Sequence, residues 1–367
     1  MKKDNNTVAF LELVRAGLWE NRDEFQVSGF KFQDSVDWEE VYQLAEEQSV
    51  IGIVLAGIDQ SNIKPPQELL LQWIGEVQIL EQQNKAMNQF IVELIGRLRM
   101  ADIYTLLVKG QGIAQCYERP LWRAYGDVDL LLSDRNYEKA KAFLIPLAGH
   151  VDSESKEVKH LGMTMGEWLV ELHGTMHTSI SRRVNKGIDA AQDDCFHGGN
   201  VRSWNNDGTT VFLPSPDNDV VFVFTHILEH FFIEGVGLRH ICDWCRLLWT
   251  YKDSLNYGLL ESRIRKMDLM RVWKAFGAMV VDELGMPKGV MPMYDSRYSD
   301  KGERVLERIL KSGNMGHNKD LSYRAKYFGL TYNLVALWRR VKDFAVFTMI
   351  FPVDAPKFFV QYVFRKI

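Results

Sequence analysis

Cysteine is scarce, with 4 residues in a chain of 367, too few for a disulfide scaffold. Long apolar runs are missing too. The longest candidate, Phe344 to Val353, falls well short of the roughly 18 apolar residues that a spanning helix requires, so no transmembrane segment is predicted. Nor does charge of one sign accumulate. A net charge of −4 gives no bulk attraction to nucleic acid; duplex DNA is not an expected partner, and a polynucleotide would need a local basic patch. The opening residues Met1-Lys2-Lys3-Asp4-Asn5-Asn6 contain neither an apolar signal core nor a cleavage site, and the expected location is cytoplasmic. There is no internal repeat, no low-complexity stretch and no GxxxxGK[ST] loop, which argues against a Walker-type ATPase.

Two patterns that invite a metal reading lack their partners. Cys242-Asp243-Trp244-Cys245 has CxxC spacing, but it lies in a helical pattern with no second cysteine pair, so two buried helical cysteines are expected. His226 and His230 are four apart and share a helical face, with His240 following. Ile227 after His226 excludes an HExxH protease, and a packed or surface face is expected.

What is present starts at residue 103. Ile103-Tyr104-Thr105-Leu106-Leu107-Val108 suits a buried strand. Lys109-Gly110-Gln111-Gly112 punctuates it, and Ile113 to Tyr117 begins a short helix. Glycines at 110 and 112 let backbone N–H groups approach a phosphate closely, and Lys109 adds a cation; an ordinary strand-to-helix turn has the same composition. Next comes Gly126-Asp127-Val128-Asp129-Leu130-Leu131-Leu132. In a strand Asp127 and Asp129 project to one side while Val128 and Leu130 face the packed side. Two carboxylates so placed either form an acidic strand end facing solvent or hold hard divalent cations such as Mg²⁺, with room left for substrate phosphate. Two such ions can activate an attacking oxygen and stabilise a leaving one.

The order of Lys109-Gly110, Arg123, Gly126-Asp127-Val128-Asp129 and Trp168-Leu169-Val170-Glu171-Leu172-His173 resembles the uncharacterised bacterial branch of the polymerase-β-like nucleotidyltransferase superfamily. The resemblance is sharpest over residues 103–175 and continues weakly into His226, His230 and Gly237-Leu238-Arg239 to Asp243. It implies a strand ending in a Gly-containing turn, a short helix, a strand bearing Asp-x-Asp, and a third carboxylate on a neighbouring strand, which falls on Glu171. Where the superfamily usually has Gly-Ser or Gly-Gly at the turn, this chain has Lys109-Gly110, without a phosphate-binding serine.

Glu171 and His173 share one face of the predicted strand 167–173. A strand interior seldom carries an unpaired acid, which favours Glu171 over Asp193 and Asp194, in a Gly- and Asn-rich segment read as loop. His173 orients substrate, accepts a proton or lies at the rim. Arg123 either grips triphosphate oxygens or pairs with one of the strand aspartates.

Three regions follow from the pattern: helical 1–100, a core over 101–213, and helical 214–367. In the first, Phe10 to Trp19 and Trp38 to Ile58 are amphipathic. Pro65-Pro66 opens a long helix striped by Leu70, Trp73, Val77, Leu80, Asn84, Met87, Ile91, Leu94 and Leu98, able to pair two chains or pack within one. The core has strands at 103–108, 127–132, 167–173 and 209–213, with Ser133-Asp134 capping a helix through Leu144. Ser215-Pro216 starts the next helical region. From Leu321 onward eight Lys or Arg face two Asp among aromatics such as Tyr323, Tyr327, Phe328 and Trp338. A packed helix with a solvated basic edge is expected there, ahead of an RNA- or membrane-binding segment or a helix closing over the acidic cleft. The predicted fold is α+β: a small mixed β-sheet core flanked by N- and C-terminal helices.

The resemblance implies a metal-dependent nucleotidyltransferase. Asp127, Asp129 and Glu171 hold two Mg²⁺ ions, while Lys109, Gly110, Arg123, Gly126 and His173 attend an NTP. A hydroxyl on a small molecule, protein or RNA attacks the α-phosphate and pyrophosphate leaves. The alternatives are a nucleotide-binding module without turnover and a phosphohydrolase using water on the same carboxylates.

Overall fold

The computed structural model describes residues 3–19, 36–61, 63–318 and 329–366. Tyr323, Tyr327 and Phe328 of the basic aromatic segment lie outside the described residues.

Strands β1 (Leu106–Val108), β2 (Val128–Leu131), β3 (His150–Val151), β4 (His160–Met165) and β5 (Trp168–His173) form a mixed sheet in the order β1-β2-β5-β4-β3. Only β2 and β5 run parallel, which requires the crossover that the Asp134–Leu144 helix, β3 and β4 supply. Alternation then sorts the side chains. Val128, Leu130, Leu161, Met163, Val170 and Leu172 pack against Met87, Ile91, Leu94 and Leu98 of the Gln67–Met100 helix, and against Tyr137, Ala140 and Leu144. Asp129, His160, Glu171 and His173 occupy the opposite face. The architecture is the expected α+β fold.

The Gln67–Met100 helix starts after Pro66 and buries its stripe within the chain, except at half-buried Leu70 and Leu80. Trp73 and Val77 join one apolar core, and Met87, Ile91, Leu94 and Leu98 a second, beneath the sheet. At the junction Asn84 donates to the carbonyls of Leu121 and Arg123 and accepts from Gln111 Nε2. The first core runs from Ala9 to Phe358, so helices from both ends of the chain share it. Among the described residues no helix is long and apolar enough to cross a membrane.

Several elements differ from the sequence expectation. The segment Trp38 to Ile58 is two helices, Trp38–Glu47 and Ile51–Gln60, parted where Ser49 takes φ 54°. The break turns the buried Gln48 toward the later helices, where it accepts from Leu238 N and donates to Leu310 O. The short helix begins at Gly110 and ends at Ala114, earlier than expected. Ser133 occupies the cap position of its helix without a side-chain cap bond. Asp193 and Asp194 lie in the Arg182–Phe196 helix, not a loop; Asp194 approaches Arg263 at 3.3 Å and Asp193 approaches His197 at 2.7 Å. The strand at 209–213 is β7 (Thr209–Pro214) of a separate hairpin with β6 (Val201–Asn206). Asp207 and Gly208 make its turn with φ 46° and 80°, the Asp-Gly pairing that favours a two-residue hairpin.

Candidate active site

The parallel pairing of β2 with β5 sets Asp129 directly opposite Glu171. Asp127 immediately precedes β2 and reaches solvent, whereas Asp129 is buried. On the other side of β5, the antiparallel β4 sets His160 opposite His173. Strand alternation and register therefore gather three acids and two imidazoles on one face, at the floor of a cavity of about 1630 Å³.

The acids are closely compensated. Asp129 Oδ1 lies 2.8 Å from Lys109 Nζ and 2.8 Å from His173 Nε2. Glu171 Oε2 lies 3.3 Å from His173 Nε2 and 3.2 Å from His160 Nε2. Burial alone would raise the Glu171 carboxyl, but the two imidazoles and Lys109 bring it well below the usual carboxylate range. Burial would likewise lower His173 and Lys109; Asp129 and Glu171 instead raise both, favouring their charged forms. Asp127 has the opposite balance. Desolvation within the cleft, then the charges of Asp129 and Glu171, push its carboxyl up to about 6.

Lys109 stands in the turn with φ 58° and ψ −149°, a conformation that glycine adopts without penalty and a side chain does not. The strain places its ammonium on Asp129. Gly110 follows at φ 40°, and a Cβ there would come within 3.3 Å of the Asp127 carbonyl, so the turn packs directly over the first aspartate.

Arg123 does not pair with either strand aspartate. Its Nε and Nη2 donate to Asp243 at 2.7 Å each, and its Nη1 donates to Ala124 O. Tyr117 also donates to Asp243. The bidentate face of the guanidinium is thus engaged inside the protein, with the side chain 4% exposed. A second guanidinium, that of Arg239, donates to Tyr125 O and lies beside Gly126, where a Cβ would approach its Nη1 at 3.4 Å. Burial, then the neighbouring Arg123, lower Arg239 to about 10.

His226, His230 and His240 line the same cavity. His226 Nε2 and His230 Nε2 lie 3.1 Å apart. Burial holds His226 and His240 well below the ordinary imidazole range, so this wall is neutral there. Cys242 and Cys245 are free and buried in the Leu238–Thr250 helix, as expected. The basic C-terminal edge does more than meet solvent: Trp338, Arg339, Arg340 and Lys342 of the Gly329–Ile350 helix line the cavity, while Phe344 and Phe347 anchor the helix in the core.

The structure thus brings together Lys109, Gly110, Asp127, Asp129, Glu171 and His173, with Gly126 beside them, and turns Arg123 to Asp243. His160 and Arg239 complete the group. His160 carries no sequence signal until β4 is paired with β5, and Arg239 shows only as part of the weak helical resemblance.

A family model described as an uncharacterised nucleotidyltransferase matches residues 34–282. No curated protein and no solved structure matches the chain.

Proposed function

Since the chain belongs to this nucleotidyltransferase family, we propose that it transfers a nucleoside monophosphate from an NTP to a hydroxyl acceptor, releasing pyrophosphate, with divalent metal held by Asp127, Asp129 and Glu171. The observation that carries this reading is the Asp129–Glu171 register across two parallel strands, with Asp127 on the same side at the cavity floor.

The donor set fits hard cations. Three carboxylates supply oxygen ligands, and the upward push on Asp127 from desolvation and from Asp129 and Glu171 marks a cluster that added positive charge would relieve. Bound Mg²⁺ would neutralise developing charge on the attacking and leaving oxygens. The protein supplies position. Lys109, Gly110, Gly126 and Arg239 line the same cavity as the acids, and there they would meet a triphosphate. His173, bridging Asp129 and Glu171, fixes both carboxylates in orientation. A cavity of about 1630 Å³ exceeds the roughly 300–1,000 Å³ of a pocket for one small ligand, leaving space for an acceptor beside the nucleotide.

The test uses α-³²P-labelled ATP, GTP, CTP and UTP with Mg²⁺ and separate RNA, protein and small-molecule fractions. Wild-type protein should release pyrophosphate and label one fraction. Asp127→Ala should lower transfer by at least about 10²-fold, the scale for losing one transition-state charge stabiliser, and should unfold at a urea midpoint no lower than wild type. Undiminished transfer by that variant, or release of orthophosphate in place of pyrophosphate, would refute the assignment.

A further inference from the structure

Beside the two aspartates, the same sheet face carries a donor set of different chemistry. His160, Glu171 and His173 each offer one ligand atom, and these atoms all lie within 4.8 Å of one another. The carboxylate oxygen sits between the imidazoles, 3.2 Å from one nitrogen and 3.3 Å from the other. Ligands about 2.1 Å from a common ion lie roughly 3 to 3.5 Å apart, so both spacings suit coordination of a single ion. The rings are tilted by 31° with centroids 4.8 Å apart, as the cross-strand pairing of His160 with His173 requires. His160 Nε2 is itself buried and lacks a properly oriented hydrogen-bond partner, despite its closeness to Glu171. A buried nitrogen in that condition needs an explanation.

We infer that His160, Glu171 and His173 form a second metal site, selective for a borderline transition ion of the Zn²⁺ class over Mg²⁺. Two imidazoles and one carboxylate leave coordination positions for water or substrate, the pattern of an open catalytic site. Imidazole suits Zn²⁺, Cu²⁺, Fe²⁺ and Ni²⁺ far better than it suits Mg²⁺, for which oxygen donors are preferred. Glu171 and His173 are shared with the site of the proposed reaction, but His160 is not; ion binding would release to solvent the proton that His173 Nε2 holds against Asp129 Oδ1 at 2.8 Å. The site therefore stands whether or not the chain transfers nucleotides.

The test is isothermal titration of metal-free protein with ZnCl₂ and MgCl₂ separately, together with the visible d–d spectrum of a Co²⁺-loaded sample. Wild type should bind one Zn²⁺ that an equal concentration of Mg²⁺ does not displace, and Co²⁺ should give a spectrum diagnostic of mixed nitrogen and oxygen ligation. His160→Ala should weaken Zn²⁺ binding by at least about 10-fold, the lower end of the loss seen even for residues that only support a metal ligand. His160 is partly exposed, so the variant should keep the wild-type circular-dichroism spectrum, and His160→Asn provides a second replacement closer in size to histidine. Asp127→Ala should retain Zn²⁺ binding, whatever it does to transfer. Zn²⁺ binding that survives both His160 variants, disappears with Asp127→Ala, or yields to equimolar Mg²⁺ would overturn the inference while leaving the transferase reading to its own test.

Discussion

The two faces of the five-stranded sheet are built from the same strands and have opposite tasks. On one, Val128, Leu130, Leu161, Met163, Val170 and Leu172 are almost completely buried among helices. On the other, one residue away in each strand, stand Asp129, His160, Glu171 and His173. The greasy face contributes stability through burial and close packing. The charged face holds several like charges within a few ångströms, an arrangement that desolvation and repulsion oppose and that Lys109 and His173 only partly offset. A pleat lets one element serve both purposes, because register binds the two faces together: the pairing that buries Leu130 beside Leu172 also sets Asp129 beside Glu171.

The largest expected effect cuts across this division. Arg123 lines the cleft, yet its pairing with Asp243 makes it a brace of the fold. Arg123→Ala would leave Asp243 buried without its cation and should cost about 3–5 kcal/mol. Urea unfolding measures it, and a loss below about 1 kcal/mol would return Arg123 to the substrate side of the comparison. Leu172→Ala comes next. It lies between Glu171 and His173 but points the other way, and the cavity it leaves should cost about 2–5 kcal/mol. Transfer measured per folded molecule should stay close to wild type. A sharp fall in that specific activity with intact stability would mean that the two faces are not separable.

Alternation made much of this legible in advance. Asp-Val-Asp and Val-Glu-Leu-His each assign their acids to one side of a strand without any knowledge of the neighbours. The register between those strands was not legible, because it depends on which distant segments pair. His160 shows why: it becomes part of the site only when β4 folds back on β5. Asp243 was hidden for the same reason, lying 120 residues from the arginine it holds. The helix break at Ser49 comes from a backbone angle that buried Gln48 stabilises through contacts with residues 238 and 310. In contrast, the Asp207-Gly208 turn carried a local signal, and β6 beside it could have been predicted from the chain alone.

The smallest effect isolates the electrostatic tension of the charged face. The Asp127 carboxyl is pushed up to about 6 in the folded protein, against an ordinary value of 3.8. Between those values the native state binds a proton that the unfolded chain has released, so the Asp127 contribution to stability falls as pH rises through this window and stays low above it. Asp127→Asn carries no such titration. Its stability relative to wild type should therefore climb from pH 4 to pH 6 and level off beyond, as read by urea unfolding of both proteins at matched ionic strength. Because the side chain reaches solvent, screening will keep the change modest. Transfer has the reverse dependence: a protonated Asp127 is a poor metal ligand, so wild-type activity should drop as pH falls below about 6. Parallel stability curves for the two proteins would mean that Asp127 is not strained by Asp129 and Glu171, and that the contrast between the faces is one of polarity alone.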